Sequence, residues 1–237
     1  MRGSTTAMSS SFNANTSAFW ERLWSTSGIQ FVALVIVAYL VYGYQPPVSA
    51  SSDELTAFYQ SHHTRILIAA VVAGLAVLYL MWFAVAIRVV LANASEDGWG
   101  AAAIGASAAV GALFLLFVAA NAAAAYAIGG SGNQALLPGL NGMAWAGFVM
   151  SSFVRAMLIM SAAFGFWRAG LISSRLFAVG VAAVVLVVLG GTTWAIGGFW
   201  SPDGAYSRVI SPLVGLLWAL VISWVLMTRT STARSGW

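Results

Sequence analysis

Arg155 is the residue in this chain whose position carries the most chemical meaning. It lies in an apolar stretch, 142–167, with Ser151 and Ser152 four and three residues before it. Helical spacing puts the three on one stripe. About 13 residues into that stretch, Arg155 sits roughly 20 Å along the axis, at mid-membrane depth. A central arginine costs about 3 kcal/mol to insert and by default marks a functional site. No Asp or Glu falls within any of the long apolar segments, so no intramembrane carboxylate is on offer as a counter-ion. Asn121, Thr192 and Thr193 fall in the outer halves of their own segments, placed to line the same cavity. Arg155, Ser151, Ser152, Asn121, Thr192 and Thr193 together describe an outward-facing polar cavity suited to an anionic ligand, such as a phosphate or carboxylate headgroup. The alternative is structural: an arginine bonded to helix-end carbonyls, or snorkelling to water, that holds the bundle together.

A second constellation is His62 with Asp53 and Glu54. Ser51 followed by Glu54 is a capping-box pattern. Leu55, Phe58, Tyr59 and His62 then recur at i, i+3, i+4 and i+7, which predicts a short helix lying over the bundle mouth. Imidazole titrates near neutrality, so His62 with Asp53 or Glu54 is a candidate acid/base pair. The alternative is a polar histidine at headgroup level. His62 and His63 are adjacent and so point in different directions on a helix, and the chain has no cysteine, so no metal site is expected. No cofactor is expected either. There is no phosphate-binding or dinucleotide-binding glycine loop, and no intramembrane histidine pair for haem.

The elements that must position these groups follow from composition. Of the 237 residues, 61% are hydrophobic and 7% charged, with mean hydropathy +0.89. An ordinary soluble domain carries about 25% charged residues, and a disordered chain is rich in charge. Both classes are excluded, which leaves a polytopic membrane protein. Six segments reach the roughly 20 apolar residues needed to cross a bilayer: 26–45, 65–90, 100–127, 142–167, 175–198 and 208–228. They are too long and too continuously apolar for barrel strands, so the fold expected is an all-α bundle of six transmembrane helices. Residues 1–18 read as a flexible tail, 19–229 as the transmembrane domain and 230–237 as a short C-terminal tail. Phe19-Trp20-Glu21-Arg22-Leu23-Trp24 has the make-up of an interfacial anchor.

The basic residues are all arginine and are scattered between apolar segments, so nucleic acid is not an expected partner. Counted by alternating ends, Arg2, Arg22, Arg88, Arg168, Arg175, Arg229 and Arg234 fall on one side, with Arg65 and Arg208 on the other. That bias places both termini in the cytoplasm. Trp82, Trp167 and Trp224 each precede an arginine on the inner side. This pattern fits three duplicated hairpins, or simply an aromatic belt beside positive-inside charge. Small residues (Ala101, Gly105, Ala109 and Ala112, with Ser107 and Gly111, and then Gly191 and Ala195) predict close packing for spans three and five. They fit a central position in the bundle or a homo-oligomer contact.

The run Pro46-Pro47…Asp53-Glu54-Leu55…Phe58-Tyr59…His62-His63-Thr64-Arg65, leading into Leu80-Met81-Trp82-Phe83, resembles small polytopic membrane proteins of high-GC actinobacteria, a group without an assigned activity. The resemblance covers about a third of the chain. It implies a six-helix plasma-membrane protein and carries no site residues. Three functions stay open on sequence: a binding or transport component for an anionic or amphiphilic small molecule, an integral-membrane enzyme acting on a lipophilic substrate, and a structural subunit of a larger membrane complex. Membrane lipids are expected partners in each case.

Overall fold

The computed structural model describes residues 24, 26–129 and 134–232. The expected N-terminal tail and all of the interfacial anchor except Trp24 lie outside them, as do residues 233–237. The order is α1 (Thr26–Tyr42), α2 (Ser52–Asn93), α3 (Asp97–Gly129), a 3-10 turn (Gln134–Leu136), α4 (Leu137–Arg168), α5 (Ser174–Gly190), a π turn (Tyr206–Ile210) and α6 (Ser211–Thr232). No strand occurs among the described residues. Four helices are long and apolar enough to cross a membrane, namely α2, α3, α4 and the π turn with α6, while α1 and α5 are shorter apolar helices. Ile36, Leu40, Val71, Leu78, Val185 and Leu217 are among many large apolar side chains left on the surface, which suits hydrocarbon rather than water.

The first outer segment differs from expectation in an instructive way. Ser51 caps α2 as predicted: its hydroxyl accepts from the Glu54 amide at 3.3 Å, and the Glu54 carboxylate accepts from the Ser51 amide at 2.9 Å. The helix does not stop to lie over the bundle mouth, however. Residues 52–65 contain no proline or glycine to end it, so the amphipathic turns run straight on into the apolar span as one helix of 42 residues.

Span five departs in the other direction, ending at Gly190 rather than 198. Gly190-Gly191 is followed by two threonines whose hydroxyls turn back on the chain, Thr192 to Leu189 O and Thr193 to Gly190 O, both at 2.8 Å. At 17 residues α5 is about 25 Å long, short of a hydrocarbon core of about 30 Å. The irregular backbone beyond it needs internal partners at that depth. It finds them in Trp194 Nε1, which donates to Gly191 O at 3.0 Å, and Trp200 Nε1, which donates to Thr192 O at 3.0 Å.

From α2 onward consecutive helices pack as neighbours; α4 also touches α2 and α6, and α2 also touches α6 and, through Phe83 and Gly28, α1. α2 and α4 therefore have more neighbours than α3 and α5, the spans expected at the centre. On α3, Ala101, Gly105 and Ala112 face outward, while Ala103, Ser107 and Gly111 face in, Gly111 against Val77. So many α3 residues are small that size alone does not choose the packed face; the bulky residues of the neighbouring helices do. On α5 the buried positions are Gly180, Ala183, Val187 and Gly190, with Gly180 against Trp218 and Ala163. Ala195 lies past the helix end, so it forms no small-residue face with Gly191.

Two apolar cores result. The larger joins Leu80, Phe83, Ile87, Leu91, Ile159, Phe166, Val187 and Ile222 toward the end of the bundle that carries Glu96. A smaller one, Leu55, Tyr59, Ile66, Ala124 and Leu137, sits at the opposite end, where Pro46-Pro47 joins α1 to α2. Between them the helices do not close.

Candidate functional site

A cavity of about 310 Å³ occupies that gap, walled by α1, α2, α3, α4 and α6. A second, of about 120 Å³, lies deeper. The two share Val35, Phe114, Phe117, Phe148, Pro212 and Leu216, so they are lobes of one space divided by aromatic rings. α5 contributes to neither. The walls are mostly aliphatic and aromatic, and each lobe carries one arginine and no acidic residue: Arg208 in the larger, Arg155 in the smaller.

The position of Arg208 follows from Pro212. Proline has no N–H to give the carbonyl four residues back, which belongs to Arg208, and its ring pushes that carbonyl aside. The chain accommodates this with the π turn over Tyr206–Ile210, a widened turn of a kind frequent at functional sites. Arg208 thereby turns toward the end of α1. Its Nη2 donates to Gln45 O at 3.0 Å and its Nε to Asp203 O at 2.5 Å. The guanidinium lies 4.1 Å from the ring centre of Tyr44 and 4.7 Å from that of Trp145.

Trp145 is held by its own Nε1, which donates to Pro46 O at 3.0 Å, while Asn141 Nδ2 donates to Pro47 O at 2.8 Å. α4 thus supplies partners for the carbonyls of the Pro-Pro corner. Trp145 packs edge-on to Phe148 at 6.0 Å, and the Arg155 guanidinium sits 5.2 Å from the Phe148 ring centre. Tyr44, Arg208, Trp145, Phe148 and Arg155 form a continuous ladder of rings and cations from the Pro46 end into the bundle. Cation–π contacts contribute roughly 0.5–2 kcal/mol each, most when water is excluded.

Of the six residues expected to line one cavity, Arg155, Ser151 and Asn121 do so, while Ser152, Thr192 and Thr193 line neither lobe. Arg155 Nη2 donates to Ser152 Oγ at 2.7 Å, and Ser151 and Arg155 both line the deeper lobe. Arg155 Nε is buried without a hydrogen-bond partner, as is the Ser211 hydroxyl; Ser211 and Ser152 both crowd Gly190. Asn121 lines the larger lobe, but its Oδ1 is occupied, accepting from Tyr42 at 2.7 Å and Tyr59 at 2.9 Å, while its Nδ2 donates to Phe117 O. It is a clamp joining α1, α2 and α3. Thr192 and Thr193 line neither lobe and serve to end α5.

The acid/base constellation is not assembled. His62 Nδ1 engages Phe58 O at 2.9 Å and Ser61 Oγ at 2.8 Å, and the imidazole stacks on Phe58. Glu54 is taken up by the helix cap. Eight and nine residues of rise separate His62 from Glu54 and Asp53 along one helix, about 12–13 Å.

Sequence reasoning counted Arg208 as an outer-side charge, in an Asp203…Tyr206…Arg208 pattern like Asp53…Tyr59…Arg65, and overlooked Trp145, Phe148, Tyr44 and Gln45. One signal was present: an arginine four residues before a proline at the start of an apolar span. Searches against protein-family models, curated proteins and solved structures give no match for this chain.

Proposed function

We propose that this protein is a plasma-membrane protein with six membrane-crossing helices and cytoplasmic termini, and that it serves as a binding or transport component for an anionic amphiphile. The observation that carries this reading is the two-lobed cavity, apolar in its walls, with an arginine in each lobe and no acidic side chain to neutralise either. Such a space favours a ligand with one negative headgroup and a hydrocarbon body. Its larger lobe, about 310 Å³, falls in the range typical of small-molecule sites. The unpartnered Nε of Arg155 supports the same reading, since a buried donor without an acceptor costs about 1–3 kcal/mol until something satisfies it. The topology rests on the arginine bias of seven against two, which puts the Pro46 end, and the cavity mouth with it, outside.

Native mass spectrometry of the protein purified in mild detergent tests this. The expected result is a retained anionic amphiphile that Arg155→Ala and Arg208→Gln each reduce at least fivefold, with Arg168→Gln as a control outside the cavity. A wild-type protein that carries no amphiphile, and takes up none when offered phosphatidylglycerol, overturns the reading.

A further inference from the structure

We infer that the cavity is loaded sideways from the surrounding leaflet, through a seam between α1 and α6, and that its occupant is an anionic phospholipid whose headgroup meets Arg208 while its chains pass between the two helices. This rests on the ligand-binding reading above and narrows it to one substrate class and one route.

The seam is visible in which wall residues are also surface residues. On the α1 side, Ile36 and Tyr39 line the large lobe yet are 47% and 57% exposed, and on the α6 side Val209 and Leu213 are 52% and 50% exposed. No lining residue of the other walls is exposed: Ile66, Ala69 and Ala73 of α2, Asn121 of α3 and Trp145 of α4 are buried, and the remaining α2, α3 and α4 positions are half-buried. The cavity therefore meets the surface along the α1–α6 edge. α1 and α6 close at the other end, where Gly28 lies directly against Ser223 and Phe83 and leaves no room for a side chain. The two helices thus touch near the Glu96 end and part toward the Pro46 end.

The chemistry along the seam is graded in the way a phospholipid is graded. Ile36, Leu213 and Leu216 are aliphatic and lie below the level of Arg208, with Leu213 five residues or about 7.5 Å further along the helix. At the top stand Arg208, the carbonyl-rich Gln45 turn and Tyr44, and close by is Arg65, whose Nε donates to Val41 O at 3.1 Å. A phosphate at this level faces the Arg208 guanidinium, which keeps N–H groups beyond those bound to carbonyls, and it finds no carboxylate among the lining residues; the nearby Asp203 carboxylate is taken up by Val48 N and Ser201 Oγ. A small soluble anion would leave most of the aliphatic seam unfilled. A phospholipid fills it without removing its chains from hydrocarbon.

The chain contains no cysteine, so single cysteines can be introduced and alkylated with a bulky maleimide. Leu213→Cys places the adduct in the seam. Leu217→Cys places it one turn further along α6, on a residue that is 52% exposed and lines neither lobe. The protein is reconstituted in phosphatidylglycerol/phosphatidylcholine vesicles, extracted, and its retained lipid counted by native mass spectrometry. Before alkylation both variants are expected to hold phosphatidylglycerol as the wild type does, which confirms that they fold. After alkylation, Leu213→Cys is expected to lose at least fivefold in occupancy and Leu217→Cys to change less than twofold. Excess glycerol phosphate is expected not to displace the lipid. Equal retention by the two alkylated variants, or displacement by glycerol phosphate, overturns lateral loading while leaving the ligand-binding reading intact. A wild type that holds no phosphatidylglycerol but does hold another anionic amphiphile overturns the substrate class alone. Empty wild-type protein overturns both readings.

Discussion

At the Glu96 end, Arg88 pairs with Asp97 at 3.2 Å and Arg168 with Glu96 at 2.9 Å, on the rim of a continuous apolar core. At the Pro46 end, Arg65 and Arg208 bond to backbone carbonyls of the segment that ends α1, Arg208 also stacks on two rings, and the core beneath is small and interrupted by a cavity. An arginine neutralised by a carboxylate has spent its charge; one held by carbonyl dipoles and ring faces keeps a net positive charge directed at whatever enters. Under the function proposed above, stability belongs to the first end and ligand recognition to the second. Substitutions matched across the two ends should separate these properties.

The largest effect is expected from Phe166→Ala. Phe166 is completely buried in the larger core, and truncating such a residue costs about 3–5 kcal/mol. Denaturant titration in detergent should show that loss, with lipid retention in the folded fraction unchanged. Phe148→Ala is the matched change at the cavity. Its ring touches Trp145, Phe117 and Arg155 but borders both lobes, so the cost should fall to about 1–2 kcal/mol. It also removes the partition between the lobes, so ligand retention should change while stability moves less. If both variants lost stability equally, the division of labour between the ends would be wrong.

Next comes the clamp that closes the Pro46 end. Asn121→Leu leaves the Tyr42 and Tyr59 hydroxyls without their shared acceptor, and buried orphans cost about 1–3 kcal/mol. In a Tyr42→Phe, Tyr59→Phe background the same change should cost less than about 1 kcal/mol, because nothing is then left unsatisfied. A full cost in that background would show that Asn121 acts through packing instead.

What the sequence made legible divides along the same line. The helices were readable because hydropathy over some 20 residues is a local property, and Arg155 with Ser151 and Ser152 was readable because i−3 and i−4 spacing is local too. The Ser51–Glu54 cap was readable for the same reason. The early end of α5 was misjudged because hydropathy does not register what Gly190-Gly191 and two back-bonding threonines do to a backbone. Arg208 escaped notice because its meaning depends on Tyr44 and Trp145, more than a hundred and sixty and about sixty residues away in the chain. Asn121 lines the cavity, but its occupied acceptor could be seen only once Tyr42 and Tyr59 were in place.

Smaller effects are expected at the charged rim. Arg168→Gln should cost at most about 1 kcal/mol, since the arginine side chain is 58% exposed and such pairs are screened. Raising salt should weaken the wild-type contact and so shrink the difference further. The same substitution at Arg208 should reduce lipid retention at least fivefold. A loss of lipid retention at Arg168, or a stability loss at Arg208 with no effect on retention, would reverse the roles of the two ends.

The smallest effect is expected in the turn that presents Glu96 to Arg168. Ser95 is the one non-glycine residue with positive φ among those described, at 63°. Relieving that conformation with Ser95→Gly should gain roughly 1 kcal/mol, because an L side chain in the left-handed region costs about that much. Glycine also enlarges the ensemble of the unfolded chain, which takes back about 0.4–1 kcal/mol. The two nearly cancel, so the unfolding midpoint should stay within about 0.5 kcal/mol of the wild type. The turn has other anchors, Ser95 N to Ala92 O at 3.0 Å and Glu96 N to Leu91 O at 2.8 Å, and a glycine leaves both in place. A clear loss of stability would therefore mean that the stiffness of Ser95 itself holds Glu96 in line with Arg168. The rim of the Glu96 end would then be ordered by its backbone, as the mouth of the Pro46 end is by carbonyls and rings.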